Sequence, residues 1–423
     1  MTEFLKLNSP EEFWKTLQEK AVITPRKKER IPFTEGLNRV LAQEVRAPLS
    51  LPPFDRSTVD GFAVRSRDTA GASESLPLYL TVKGEVLMGE STGLKLGPGE
   101  AVRISTGGMV PAGADAVLMV ENTEYLDERT IEFTSSVAAG ENVVRKGEDI
   151  SEGELLLEKG HLIRPQDIGA LAGLGITEIE VFARPEVAVI STGDELVPPA
   201  AQPGPGEIRD INTYAIGAVL EDLGCRVRLV GIVEDSFNRL RKAIKDNLDC
   251  DLILISGGSS VGVKDMTVDL LNSLGEPGVL LHGVSVKPGK PTILAVINRL
   301  PVIGLPGHPA SAWTITSVLV KPLVLSLRGE KALTKDYKTA VFPGVEAILN
   351  RNLVSDKGRE EYVPVRVRVE GESAGGFRYI AEPVTGKSSL ITTLVQADGF
   401  IRIDTYQEGV SKGEKVIVHL FRN

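Results

Sequence analysis

Three stretches place small residues, hydroxyls and carboxylates directly after apolar runs: "ISTGDEL" from Ile190, "ISGGSSVGVKD" from Ile255 and "GLPGHPASA" from Gly304. In the second, Ser256, Gly257, Gly258, Ser259 and Ser260 let the main chain approach a phosphate closely, and a helix start behind them adds positive potential. One such loop is weak evidence, because glycine-rich turns after strands often only reverse the chain. Three in one segment make a shared anion site the stronger reading. The loops also carry Asp194, Glu195 and Asp265, and Asp235 follows "GIVE". A carboxylate at a loop–helix junction is more often a cap than a catalyst. Several beside a phosphate site instead suit Mg²⁺, which takes one or two carboxylates plus ligand oxygens. "SVKPGKPT" sets Lys287 and Lys290 on either side of a Pro-Gly turn. Solvated lysines are the commoner case, but a turn that holds both ammonium groups near a sheet edge suits an oxyanion.

A fourth stretch, "PPFDRSTVDGFAV" from Pro52 to Val64, crowds prolines, aspartates, hydroxyls and a glycine together. Turn chemistry accounts for Pro52-Pro53 and Asp60-Gly61. The plain reading is a loop into the strand "GFAVR"; the sharper one is a carboxylate and hydroxyls presented to a ligand. The sequence lacks a P-loop, a G-x-G-x-x-G after a strand and a G-x-S-x-G elbow. Its four histidines show no metal-ligand spacing, and His308 lines the "PGHPASA" turn. No cysteine–histidine pair suggests a thiol nucleophile. What remains is positioning plus a metal ion, the needs of phosphoanhydride cleavage.

The elements behind these loops follow from patterning. With 423 residues the chain exceeds one core, and about two to four domains are expected. Apolar residues at 42% and charged residues at 25% are ordinary for a globular protein. A net charge of −9 argues against nucleic-acid binding, so an anionic ligand needs local attraction. Cys225 and Cys250 read as reduced core thiols. No signal-peptide layout opens the chain, and "SAWTITSVLVKPLVLSL" is broken by Lys321 and Pro322, so a cytoplasmic protein without a membrane span is expected. "SPEEFWKTLQEKA" reads as a helix, and a second is expected over "PFTEGLNRVLAQEV". Short strands with turns then fill Leu76 to Phe133. From "PEVAVISTGDEL" to Gly329, apolar strands alternate with helices, which predicts a doubly wound parallel sheet covered on both faces. Its ligands would lie beyond the strand ends. The fold expected is α/β plus β and multidomain. Residues 1–50 with 141–182 form a discontinuous mixed domain, 51–140 a β-rich insert, 183–329 the α/β domain and 330–423 a C-terminal β-domain.

Taken in order, "PPFDRSTVDGFAV", "AVRISTGGMVPAGADAVLMVE", "RKGEDIS", "VISTGDEL", "SGGSSVGVKD", "KPGKPT" and "GLPGHPASA" resemble the molybdopterin molybdenumtransferase family, which includes the E domain of gephyrin. The resemblance runs over nearly the whole chain. It implies an elongated homodimer of four-domain subunits whose α/β domain is similar to the molybdopterin-adenylyltransferase fold. It further implies insertion of molybdenum from molybdate into adenylylated molybdopterin, with Mg²⁺ and release of AMP. Carried over by position, Asp60, Thr106, Glu195 and Asp265 are its catalytic residues, Asp265 positioning the metal or the attacking water. Asp149, Asp235 and Asp265 match its metal positions. Ser256, Gly257, Gly258, Ser260, Lys287, Lys290, Pro306, Pro309 and Ser388 match ligand-contacting positions, Ser388 facing the oxyanion. The molybdopterin adenylyltransferase is a further partner the resemblance suggests.

Departures from the family pattern stand at Arg56 and His308, where asparagine is frequent, and at Pro364, where an arginine is expected to face molybdate. Arg359 and Arg366 are the substitutes the sequence offers. Alternatives are a molybdopterin adenylyltransferase, a tungstate-preferring insertase, a scaffold of the gephyrin type and a molybdate sensor. The "GGSSVG" loop in place of "GGTG", and the flanking domains, weigh against the first. No added module favours a scaffold, and no DNA-binding helical module favours a sensor.

Overall fold

The computed structural model describes residues 7–257, 261–330, 343–371 and 377–421, with the side chains of 261–265 outside the description. Ser9 and Glu12 close a capping box and Pro10 enters the first turn, so helix α1 spans Pro10–Lys20. Its buried Phe13, Trp14 and Leu17 pack with Leu294, Val296 and Leu323 of the α/β core. The expected grouping of residues 1–50 with 141–182 is therefore corrected for α1, whose apolar stripe is buried elsewhere. The chain after α1 does meet that segment. Lys28–Pro32 pairs antiparallel with Glu178–Phe182, and Ile31, Leu41, Leu157 and Ile179 share a core with Leu171 of helix α2, Pro165–Gly173.

The helix expected over "PFTEGLNRVLAQEV" is absent. Only a 3₁₀ turn, Phe33–Glu35, forms there. Asn38 turns to φ 60°, Val40 bridges to Leu162 and Leu41 to Val181. Long-range pairing satisfies this backbone, and it overrides a local pattern that suited a helix.

Six strands build the inserted domain: β1 Gly61–Val64, β2 Leu78–Val86, β3 Glu100–Ile104, β4 Ala116–Met119, β5 Thr123–Tyr125 and β6 Thr130–Phe133. They form one sheet in the order β4-β1-β3-β2-β6-β5. A Cβ on Gly61 would sit 1.8 Å from the Leu118 carbonyl oxygen, so only glycine lets β1 enter between its neighbours directly after Asp60.

The α/β domain comprises β7 Glu186–Thr192, α3 Asn212–Asp222, β8 Arg226–Val233, α4 Phe237–Lys245, β9 Leu252–Gly257, α5 Val261–Asn272, β10 Pro277–His282, β11 Ile293–Ile297, β12 Leu300–Leu305, α6 Pro309–Ile315 and α7 Lys321–Leu327. Val187, Val189, Leu252 and Leu254 face a core containing Ile216 and Leu220 of α3, while Ala188, Ile190, Ile253 and Ile255 face one containing Leu240 of α4 and Leu270 of α5. Burial on both faces explains the uninterrupted apolar runs. Strand order is β8-β7-β9-β12-β11-β10. The expectation of a parallel sheet is corrected at one side. β8, β7, β9 and β12 run parallel, but β11 is antiparallel to both β12 and β10. Asn298 (φ 50°) and Arg299 (φ 74°) make the two-residue hairpin responsible. Pro309–Leu327 is long and apolar enough to cross a membrane, but 83% of it is buried inside the domain, as a core helix would be.

Beyond it, β13 Gly344–Leu349, β14 Glu360–Gly371, β15 Phe377–Pro383, β16 Gly399–Ile403 and β17 Lys415–Leu420 close into a barrel, β14-β15-β13-β17-β16 returning to β14. Val286–Lys287 pairs parallel with Glu360–Glu361 and so straps the barrel to the α/β domain.

Candidate active site

The structure brings the three α/β loops together. A Cβ on Gly257 (φ 115°) would lie 1.9 Å from the Thr192 carbonyl oxygen, so glycine alone allows the end of β9 to touch the loop after β7. Asn212, the first residue of α3, donates from Nδ2 to Ser256 Oγ at 2.7 Å and to the Gly307 carbonyl at 2.8 Å. One buried amide thus ties the second loop to the third. Ser256 is itself buried and engaged by this bond, so it offers a ligand its backbone more than its hydroxyl. Gly258 and Ser260 lie outside the described residues, and so does the side chain of Asp265 on α5.

Carboxylates gather at the same strand ends. Thr192 Oγ1 donates to Asp235 Oδ1 at 2.5 Å, and Asp235 N–H donates to Asp194 Oδ1 at 3.1 Å. Glu195 is exposed in the same loop, its carbonyl accepting from Ile208 N–H. Asp149 does not join them: its N–H bonds the Leu51 carbonyl on the far side of the "PPFD" loop. The expected grouping of Asp149 with Asp235 is therefore not assembled within one chain, and no cluster of three or more His, Cys, Asp or Glu that could hold a metal occurs among the described residues. The donors present are nevertheless all hard oxygens. Asp194 and Asp235 each keep a second carboxylate oxygen, which fits an ion that fills its shell with substrate oxygens and water.

A cavity of about 690 Å³ opens between the α/β domain and the barrel. Lys287, Lys290, Pro306, His308 and Ser388 line it. Pro309 does not; it opens α6 at the first helical position. Lys287 Nζ is 3.1 Å from Glu361 and 3.4 Å from Asp356, both from the barrel side. Lys290 makes no ion pair with a described residue. His308 Nδ1 lies 2.9 Å from Ser388 Oγ, and Ala310 N–H donates to the Ser388 carbonyl at 3.1 Å. Pro364 and Arg359 both reach the cavity, whereas Arg366 is exposed and bonds the Gln396 carbonyl. Of the two arginines offered by the sequence, only Arg359 lines the cavity. Sequence reasoning missed Asn212, Ser311 and Lys387. The last two also line this cavity, and their signal was position: Ser311 ends "PGHPAS", and Lys387 precedes Ser388.

Asp60 and Thr106 meet on the inserted sheet. Thr106 N–H and Oγ1 both reach Asp60 Oδ1, at 2.7 and 3.2 Å. No hydrogen bond or ion pair joins this sheet to the α/β domain among the described residues. Elsewhere, burial pushes the Cys225 thiol up to about 12 and the Cys250 thiol up to about 11, as inert core thiols require.

Fold and cavity define a multidomain protein whose α/β sheet gathers glycine-, serine- and carboxylate-bearing loops at its strand ends, beside a lysine-lined cavity. Residues 8–175 match the family model of the MoeA N-terminal region (domain I and II), 188–326 that of a "Probable molybdopterin binding domain", and 346–421 that of the MoeA C-terminal region (domain IV). The chain belongs to the MoeA family of molybdopterin molybdenumtransferases, enzymes of molybdenum cofactor biosynthesis. It is 33% identical to the molybdopterin molybdenumtransferase of Haemophilus influenzae over 94% of this chain and 95% of that protein. With the Bacillus subtilis enzyme of the same name it shares 32%, over 93% and 90%. The crystal structure of the molybdopterin biosynthesis MoeA protein from Pyrococcus horikoshii superposes with a TM-score of 0.81 at 37% identity, covering 99% of this chain and all of that one.

Proposed function

We propose that the protein inserts molybdenum from molybdate into adenylylated molybdopterin, with Mg²⁺ and release of AMP. The observation that carries this reading is the cavity where the "KPGKP" turn, the "PGHPAS" turn and the barrel's "GKSS" loop converge. It sets a lysine-rich lining beside the "PGHPAS" turn, which Asn212 ties to Ser256 of the glycine-serine loop. Lys290 and Lys387 would hold the oxyanion, and backbone N–H groups of the glycine-serine loop would hold the pterin phosphate. Asp194 and Asp235 would hold Mg²⁺, which supplies charge neutralisation at the phosphoanhydride. The Asp60–Thr106 pair would come from the inserted sheet of a second subunit, closing over the cleft.

The test is AMP release from adenylylated molybdopterin. Release that needs both molybdate and Mg²⁺ is expected. Product formed instead from ATP and unadenylylated molybdopterin would establish the adenylyltransferase reading and defeat this one.

A further inference from the structure

The hydroxyl of Ser388 has one proton, and the structure sets a competitor for it. His308 Nδ1 lies 2.9 Å from Ser388 Oγ. The contact does not depend on the ring alone, because Ala310 N–H holds the Ser388 carbonyl at 3.1 Å. Both side chains line the cavity that Lys290 and Lys387 also face. His308 is exposed, and its Nε2 makes no hydrogen bond to a described residue, so no second bond fixes which nitrogen carries the proton.

Two arrangements follow from the donor inventory of neutral imidazole and hydroxyl. With the proton on Nε2, Nδ1 accepts the Ser388 O–H, and the serine shows only lone pairs to the cavity. With the proton on Nδ1, the ring donates to Ser388 Oγ, and the serine O–H is free to donate into the cavity. An anion can use the second arrangement and is repelled by the first.

We propose that His308 is a positioning residue that sets the direction of the Ser388 hydroxyl, and that a tetrahedral oxyanion draws the ring into its Nδ1–H form as it binds. This deepens the reading above and rests on it, since it takes the cavity as the oxyanion site. An asparagine here, as the resemblance in the sequence would have it, could donate to Ser388 by rotating its amide. Histidine makes the same choice by moving a proton.

The experiment uses the full chain labelled with ¹⁵N-histidine and titrated with tungstate, with binding followed in parallel by calorimetry. The chain holds four histidines, and His308→Asn identifies the resonance. The Nδ1 signal of His308 is expected to be pyridine-like in the free protein and pyrrole-like at saturation, with Nε2 changing in the opposite sense as its proton leaves to water; both nitrogens pyrrole-like at saturation would mean an imidazolium and overturn the switch. Ser388→Ala should abolish that change and weaken tungstate binding about tenfold. If tungstate binds but Nδ1 stays pyridine-like, or is pyrrole-like from the start, the switch is overturned while the oxyanion reading stands. If neither tungstate nor molybdate binds the wild-type protein, the oxyanion reading falls and the switch falls with it.

Discussion

Asp167 takes several donors at once. Its carboxylate is 5% exposed, and burial pushes its pKa upward. Three bonds from Arg164 and one contact with His161 at 2.6 Å outweigh that push and bring it down to about 2. A depressed folded value against an unfolded one of 3.8 means the stabilisation is present above about pH 4 and is lost as pH falls through 2. Asp167→Asn should therefore cost about 2 kcal/mol at neutral pH. The gap from wild type should close between about pH 4 and pH 2, read from guanidinium midpoints. A gap that stays constant over that range would show the carboxylate's charge to be irrelevant. His161 illustrates what one residue can reveal in sequence. The lack of metal spacing around it was readable, but its bond to Asp167 was not, because a turn and the start of α2 bring the two together. Asp60 and Thr106 are 46 positions apart, and only the motifs they sit in linked them beforehand.

The elements were legible where burial is two-sided. Runs such as Val187–Ile190 and Leu252–Ile255 can be read as central strands because neither face tolerates a polar residue. Where pairing is long-range, legibility stopped. "VINRLP" hides a hairpin because Asn298-Arg299 is a poor turn signature beside Asn-Gly, and "PFTEGLNRVLAQEV" hides bridges to distant strands. The same limit applies to Asn212. In sequence it is an ordinary helix start; in the fold its amide joins two loops, one of them 95 residues away. Asn212→Ala leaves the Gly307 carbonyl and the buried Ser256 hydroxyl without that donor, a loss of about 2 kcal/mol. The loops would then part, so KM for adenylylated molybdopterin should rise more than kcat falls. Thermal unfolding and steady-state AMP release check the two halves separately. Unchanged KM in a folded variant would show that the junction does not shape the site.

Across the whole molecule, the site residues named from sequence fall on two separate bodies. Lys287, Lys290 and Ser388 converge at one cavity, while Asp60 and Thr106 bond each other on the inserted sheet. A two-fold dimer resolves this if each cleft takes its lysines from one subunit and its Asp60 from the other, since an isologous pair then builds two equivalent composite sites. Asp60→Asn and Lys290→Ala should each be nearly inactive alone. When the two are unfolded together and refolded as a mixture, half of the dimers are mixed, and each mixed dimer carries one site with both residues intact. Activity should then return to about a quarter of wild type. If both residues served the cleft of their own subunit, every site in the mixture would still lack one of them, and activity would stay at the level of the separate variants. Composite sites would also fit an inserted sheet that makes no polar bond to its own α/β domain among the described residues, the chain at its base being tied by the Gly147 and Asp149 N–H bonds to the Pro52 and Leu51 carbonyls.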